Sequence, residues 1–285
     1  MLLARIVVWL ALLAPAAAEA GHWAGLAASG GWASNVNLGV ADAPALTAAS
    51  RSAHVHLGGD ARLARGTALS LELSWDWEDY PALPELELHQ AAGTAALGLE
   101  LGAAAHLRLS TTGGLRLAED AARRGHDLAA GASLRLGPWG RLAVRLAGRA
   151  SERTTSDPAF GGRSLAGRLG LDVQVVAPLL LGAEATAEAG DATVSTTVAT
   201  WERRGGAGRG PGRPTLVEGA VLVYQPARVV ILGAGLDGTL ELPAGFSLLL
   251  RARREWLEGE GLDGAASLLT ASLRWSGSRR DGRGY

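Results

Sequence analysis

The chain has 285 residues, with 40 Gly, 11 Pro, 9 Trp and no Cys, and its 27 basic and 28 acidic residues leave a net charge of -1. Without cysteine there is no disulfide scaffold, no thiolate zinc site and no cysteine nucleophile. The near-neutral balance argues against bulk nucleic-acid binding. At 48% hydrophobic and 19% charged the chain is too apolar for disorder, and it is long enough for one large domain or two small ones. Every basic residue is Arg, which reads as a bias of genome composition.

Residues 1–20 read as an export signal. Arg5 supplies a positive start, Ile6 to Leu13 is apolar, Pro15 breaks the run, and Ala18-Glu19-Ala20 has the small-x-small form of a cleavage site. Cleavage is expected after Ala20, leaving residues 21–285 as one domain. An uncleaved anchor is the alternative, but the run falls short of the roughly 20 apolar residues of a spanning helix.

From there the chain alternates with period two. In Leu69-Ser70-Leu71-Glu72-Leu73-Ser74-Trp75-Asp76-Trp77 the apolar residues hold the odd positions and the polar ones the even. Leu107, Leu109, Leu115 and Leu117 alternate with Arg108, Ser110, Thr112 and Arg116. Leu142, Val144 and Leu146 alternate with Arg141, Arg145 and Arg149, and the pattern returns through Leu165–Val175 and Leu232–Leu242. Leu, Ala and Arg favour helix by propensity. Leucines two apart would point all round a helix, however, whereas they line one face of a strand. A short helix fits best within Leu117–Leu128.

Strands are predicted near 22–36, 53–64, 66–78, 88–101, 104–117, 127–136, 140–152, 163–176, 178–190, 192–203, 215–225, 228–242, 246–257 and 265–275, which makes 14. If 191–214 is loop, the count falls to 12. The Gly/Pro-rich run from Arg203 to Pro214 is irregular and reads as a solvated loop.

One apolar face per strand fits a soluble β-sandwich or a transmembrane antiparallel up-and-down β-barrel. Three features favour the barrel. The apolar faces are continuous. Short connections (Arg65-Gly66, Gly102-Ala103, Gly137–Gly140, Ala177-Pro178, Pro243–Gly245) alternate with longer ones (37–52, 79–88, 118–127, 152–162, 258–264). Trp23, Trp32, Trp75, Trp77, Tyr80, Trp139, Trp256 and Trp275 fall near strand ends, as in interfacial girdles. An even strand count closes such a barrel with both termini on one side.

The chain resembles bacterial outer-membrane β-barrel proteins over its whole length after residue 20. Ser267–Trp275 looks like the barrel-assembly signal, alternating and closing on an aromatic, although ten residues follow it and the last, Tyr285, is itself aromatic. Gly30–Asn37 is similar to the opening strand of barrels fused to helical-repeat domains, with Ala33 where those carry Asp. The resemblance implies outer-membrane localisation, with membrane lipid and the barrel-assembly machinery as partners and no cofactor.

In a barrel the polar face lines the lumen. Seven arginines (Arg108, Arg116, Arg135, Arg141, Arg145, Arg149, Arg168) lie on the fifth to eighth predicted strands, and five acids (Glu184, Glu188, Glu218, Asp237, Glu241) on the ninth to twelfth. Opposed charge blocks bias which solutes pass, and arginines favour anions. This points to a passive diffusion channel for small polar or anionic solutes, with Arg141, Arg145 and Arg149 as the selectivity wall. The same charges could instead pair across strands and fill the pore. A closed structural barrel, or one that serves assembly or secretion by docking a partner protein through its 37–52 loop or the basic 203–214 tract, therefore stands beside the channel.

An outer-membrane hydrolase is a third reading. His54 and His56 share a face with Asp60, and His-x-His suits a metal on one strand face. Neither Gly-x-Ser-x-Gly nor His-Glu-x-x-His occurs. Polar lumen filling is the preferred role for His54 and His56, and the chain is expected not to be an enzyme.

Overall fold

The computed structural model describes residues 21–34, 48–81, 87–118, 120–199, 215–217, 220–259 and 262–279. The expected export signal, the Arg203–Pro214 tract and Glu218 lie outside them.

Thirteen strands form in chain order: β1 Gly21–Ala33, β2 Ala48–Ala64, β3 Thr67–Asp79, β4 Leu88–Glu100, β5 Ala105–Ala118, β6 Gly125–Trp139, β7 Leu142–Thr155, β8 Gly162–Val176, β9 Leu179–Ala199, β10 Thr215–Val217, β11 Ala220–Glu241, β12 Phe246–Gly259 and β13 Leu262–Arg279. Each pairs antiparallel with its neighbour. Two contacts close the ring, β1 with β13 (Leu26↔Trp275) and β9 with β11 (Glu184↔Gly235). The three-residue β10 pairs only with β11, so the closed barrel has 12 strands, the lower of the two counts weighed above.

The two surplus predicted strands are absorbed by two long ones. Positions 178–190 and most of 192–203 form the single β9, and 215–225 and 228–242 mostly form β11. Neither Asp191 nor Pro226 makes a turn. Pro226 stands opposite Thr193, and the β12 pairing of β11 begins only at Val230. On that side, among the described residues, β11 has no ladder partner at Pro226, and an edge position of this kind tolerates a residue without an N–H.

The expected short connections are present. Arg65-Gly66 and Ala177-Pro178 are turns, and Pro243–Gly245 is a single 3-10 turn with Ala244 at φ 59. Turn formation at 137–140 is confined to Gly140-Arg141, because β6 continues through Trp139. Leu117–Leu128, the stretch with room for a short helix, holds the 3-10 turn Ala121–Arg123. Short turns and both described termini lie at one end of the barrel and the longer connections at the other, except that the connection expected at 258–264 is short, because β12 runs to Gly259 and pairs there with Leu262 of β13.

Exposure separates the two faces. Leu57, Leu117, Leu165, Leu236 and Leu269 are 56–66% exposed on one face, while Ala96, Ala143, Asp172, Glu184 and Ser272 on the other are under 9%. Side chains converge inside a barrel and diverge outside it, so the leucine face is the outer wall. Trp32, Trp75, Trp77, Trp139, Trp256 and Trp275 lie on that wall, as girdle residues do. Trp23 does not. Its indole lies over Gly58, inside the barrel near the short-turn end.

Candidate functional site

Lumen width decides whether this interior passes solutes or is filled. Eight strands give a barrel that side chains fill, and sixteen or more leave an aqueous channel. Twelve strands about 4.8 Å apart, tilted about 40°, close to a backbone diameter of roughly 24 Å. The way the side chains lie therefore matters.

Many lie flat along the wall, over a glycine of the adjacent strand. A Cβ at Gly170 would stand 3.4 Å from the Arg145 guanidinium, one at Gly182 2.7 Å from both Asp237 carboxylate oxygens, and one at Gly98 3.2 Å from the His106 ring. His56 covers Gly25, with ring atoms 2.5 Å from where a Cβ would be. Lumen glycines thus serve as notches that keep long side chains out of the pore. On the outer face two pairs of glycines stand opposite each other, Gly93↔Gly113 and Gly148↔Gly167.

The predicted lumen residues that are described face inward, with one exception at the rim. Arg108, Arg116, Arg135, Arg145, Arg149 and Arg168 share the inner face of β5 to β8, and Glu184, Glu188, Asp237 and Glu241 that of β9 and β11. Arg141 sits instead in the turn before β7, and its guanidinium donates to the Val175 carbonyl at 2.8 Å. It belongs to the short-turn mouth, because β7 regains strand geometry only at Leu142.

Part of the charge is neutralised across strands. Arg145 donates to Asp172 at 2.5 Å. Arg168 pairs with Glu184, whose side chain is 3% exposed. Arg253 on β12 reaches Thr186 of β9 at 3.0 Å and pairs with Glu255 on its own strand at 2.9 Å. Near the long-loop end Asp127 accepts from Arg153 (3.1 Å), Arg116 (3.3 Å) and Gln90 (3.1 Å). Sequence reading placed Asp127 and Arg153 at loop boundaries and missed both. Their signal was parity: Asp127 continues the inward alternation of Ala129 and Gly131, and Arg153 that of Arg145 and Arg149.

Other charges stay open to the lumen. Arg135, Arg149 and Glu188 are exposed, and among the described residues none has a hydrogen-bond or ion-pair partner. On β7, Arg145, Arg149 and Arg153 recur every fourth residue on the inner face, about 13 Å apart along a strand. Half a barrel away, β1 presents Gly25, Ala27, Ser29 and Gly31, with Ser29 donating to Ser272 at 2.7 Å. The basic track therefore looks across at a small, uncharged wall.

The histidines join a different carboxylate from the one expected. His54 Nδ1 lies 2.5 Å from Asp76 Oδ1, and His54 Nε2 lies 3.0 Å from His56 Nδ1. Asp60 is on the same face but six residues along the strand from His54, whereas Asp76 stands directly opposite, where Cβ atoms approach to about 5 Å. The three groups form a string, with both His54 nitrogens and His56 Nδ1 spent along it rather than converging on one point.

Two loops fold over the long-loop mouth. The Asp120 carboxylate accepts the Ala122 N–H at 3.0 Å, and that of Asp157 the Ala159 N–H at 2.9 Å, each capping a 3-10 turn. The Ser156 N–H donates to Arg124 O at 2.9 Å and the Asp157 N–H to Ala122 O at 3.0 Å, tying the loops together. Ala159 and Phe160 are buried with Ala122 beside them, and the Pro158–Phe160 turn packs on β7, β9 and β11. Tyr80 stands past the end of β3 and donates to Glu78 at 2.7 Å. Burial first, and then Glu78, hold its phenol far above the usual tyrosine range, so it remains a neutral donor.

No protein-family model matches the chain. No curated protein matches it either. Among solved structures, an outer membrane channel from Pseudomonas putida F1 aligns over 90% of this chain and 96% of its own, with TM-score 0.62 and 13% identity. The NanC porin aligns over 88% of this chain and 98% of its own (TM-score 0.49, 8% identity), and the Pseudomonas putida toluene transporter TodX over 90% and 89% (TM-score 0.46, 9% identity). The fold is that of the outer-membrane β-barrels, a likeness carried by the first of these alignments.

Proposed function

We propose that the protein is a passive diffusion channel of the bacterial outer membrane, open to small polar or anionic solutes. The carrying observation is the group of inward-facing charges, Arg135, Arg149 and Glu188, that are exposed and without a partner among the described residues. Charges that meet water inside a closed wall imply a wet lumen. The glycine notches support the same reading, and so does the fold shared with an outer membrane channel over nearly its whole length. On this reading the long loops face outward and the termini the periplasm, with residues 1–20 removed on export. Membrane lipid and the barrel-assembly machinery are the partners. The Asp76–His54–His56 string is part of the polar wall rather than hydrolytic machinery.

The selectivity group differs from the one drawn from sequence. Arg141 is at the mouth and Arg145 is tied to Asp172. Arg149 and Arg135 carry the positive field. Anion preference is accordingly modest, because acids on β3, β9 and β11 share the lumen. In a planar bilayer under a salt gradient, the reversal potential should be weakly anion-biased. Arg135→Gln with Arg149→Gln should move it toward the cation side, and Arg141→Gln should leave it nearly unchanged. A reversal potential indifferent to the first pair would remove these arginines from selectivity.

A further inference from the structure

Across the hydrogen-bonded ladder, Arg149 on β7, Ala166 on β8, Glu188 on β9, Ile231 on β11 and Leu257 on β12 stand in one continuous row. All point into the lumen, because they keep the parity of Arg145, Arg168, Glu184 and Asp237. Arg149 and Glu188 are two strands apart, so their backbones lie about 10 Å from each other. Only the methyl group of Ala166 stands between them. Neither charge has a partner among the described residues, and both are exposed. The acid side of the pair continues directly into Ile231 and then Leu257, which is 5% exposed. The 3-10 turn bearing Phe160 packs on β7, β9 and β11, the strands that carry Arg149, Glu188 and Ile231. A cation, a small notch, an anion and an apolar patch therefore follow one another on the wall, on strands roofed by one loop.

We infer that this row is a binding subsite for small zwitterions bearing an apolar group, the chemistry of an aliphatic α-amino acid. The carboxylate engages the Arg149 guanidinium, which offers paired donors to a planar anion. The ammonium engages Glu188, and the aliphatic group lies over the half-buried Ile231, with the buried Leu257 behind it. A simple anion would meet Arg149 but be repelled by Glu188, and a simple cation would meet the reverse. The pair thus selects against both single charges. The inference rests on the channel reading and gives that lumen a substrate class.

The test uses the full protein reconstituted in planar bilayers, with L-leucine, N-acetyl-L-leucine (anion) and L-leucinamide (cation) as probes. Leucine should interrupt the single-channel current at a concentration about fivefold lower than either derivative, the effect expected of one partly exposed charge-assisted contact. Arg149→Gln and Glu188→Gln should each abolish that advantage. Ile231→Ser should weaken block by leucine and leave block by glycine unchanged. Equal block by the three probes, or variants that block like the parent, would overturn the subsite while leaving the channel standing. A protein that inserts and carries no current would overturn both.

Discussion

Arg168 and Glu184 show what a single contact is worth in this wall. The Glu184 side chain is 3% exposed, and Arg168 is its ion-pair partner. Removing the arginine strands a buried carboxylate. Breaking a fully buried pair costs about 3–5 kcal/mol, and because Arg168 is 38% exposed on its side chain we expect roughly 2–3 kcal/mol for Arg168→Ala. Arg168→Met with Glu184→Leu should recover most of it, since an apolar replacement of the whole pair leaves no charge unpaired. Urea unfolding in detergent micelles measures both. If the single variant is as stable as the parent, the pair is not holding β8 to β9. The partner identities were not legible in the sequence. Alternation gives the face of a residue but not the register that sets its neighbour, and so His54 was grouped with Asp60 when Asp76 stands opposite it.

Strands were the most legible elements, and their ends the least. Where leucine and arginine alternate, as on β7 and β8, both the strand and its inward face follow from the residues. On β1 the alternate positions are nearly all small (Ala24, Gly25, Ala27, Ala28, Gly30, Gly31). No polar face could be read there, and Trp23 was placed on the outside. Breaks expected at Asp191 and Pro226 do not occur: Asp191 continues β9, and Pro226 lies where β11, among the described residues, has no partner toward β12. The loops make their own prediction. The Pro158–Phe160 turn lies outside the ring of strand pairings and covers part of the mouth. Phe160→Ser should loosen that cover, raising single-channel conductance while leaving the unfolding midpoint of the barrel within a few degrees of the parent, since about 2–3 kcal/mol of local burial is lost without touching a ladder. Unchanged conductance would show that the loop does not constrict the pore.

At the scale of the whole molecule, period-two alternation narrows the fold to a sandwich or a closed antiparallel barrel, and the alternation of short and long connections with aromatics near the strand ends favours the barrel. The number of strands needed the ring itself. The lumen was legible as a set of inward residues and not as a site. Which charges are tied, which stay open, and which lie flat over a glycine are properties of neighbours brought together from distant parts of the chain. Arginines on β5 to β8 face acids on β3, β9 and β11, with further arginines at Arg251, Arg253 and Arg274 on β12 and β13, so the interior is mixed in charge rather than simply basic. Its field weakens as salt screens it, since the Debye length falls from about 10 Å at 0.1 M to about 3 Å at 1 M.

That leaves the central claim that water and small solutes pass through this lumen. Single-channel recording of the purified protein in a planar bilayer at moderate salt tests it most directly. The account predicts discrete, reproducible conductance steps with a weak anion bias that fades as salt is raised. A protein that inserts as a folded barrel and passes no current would contradict it.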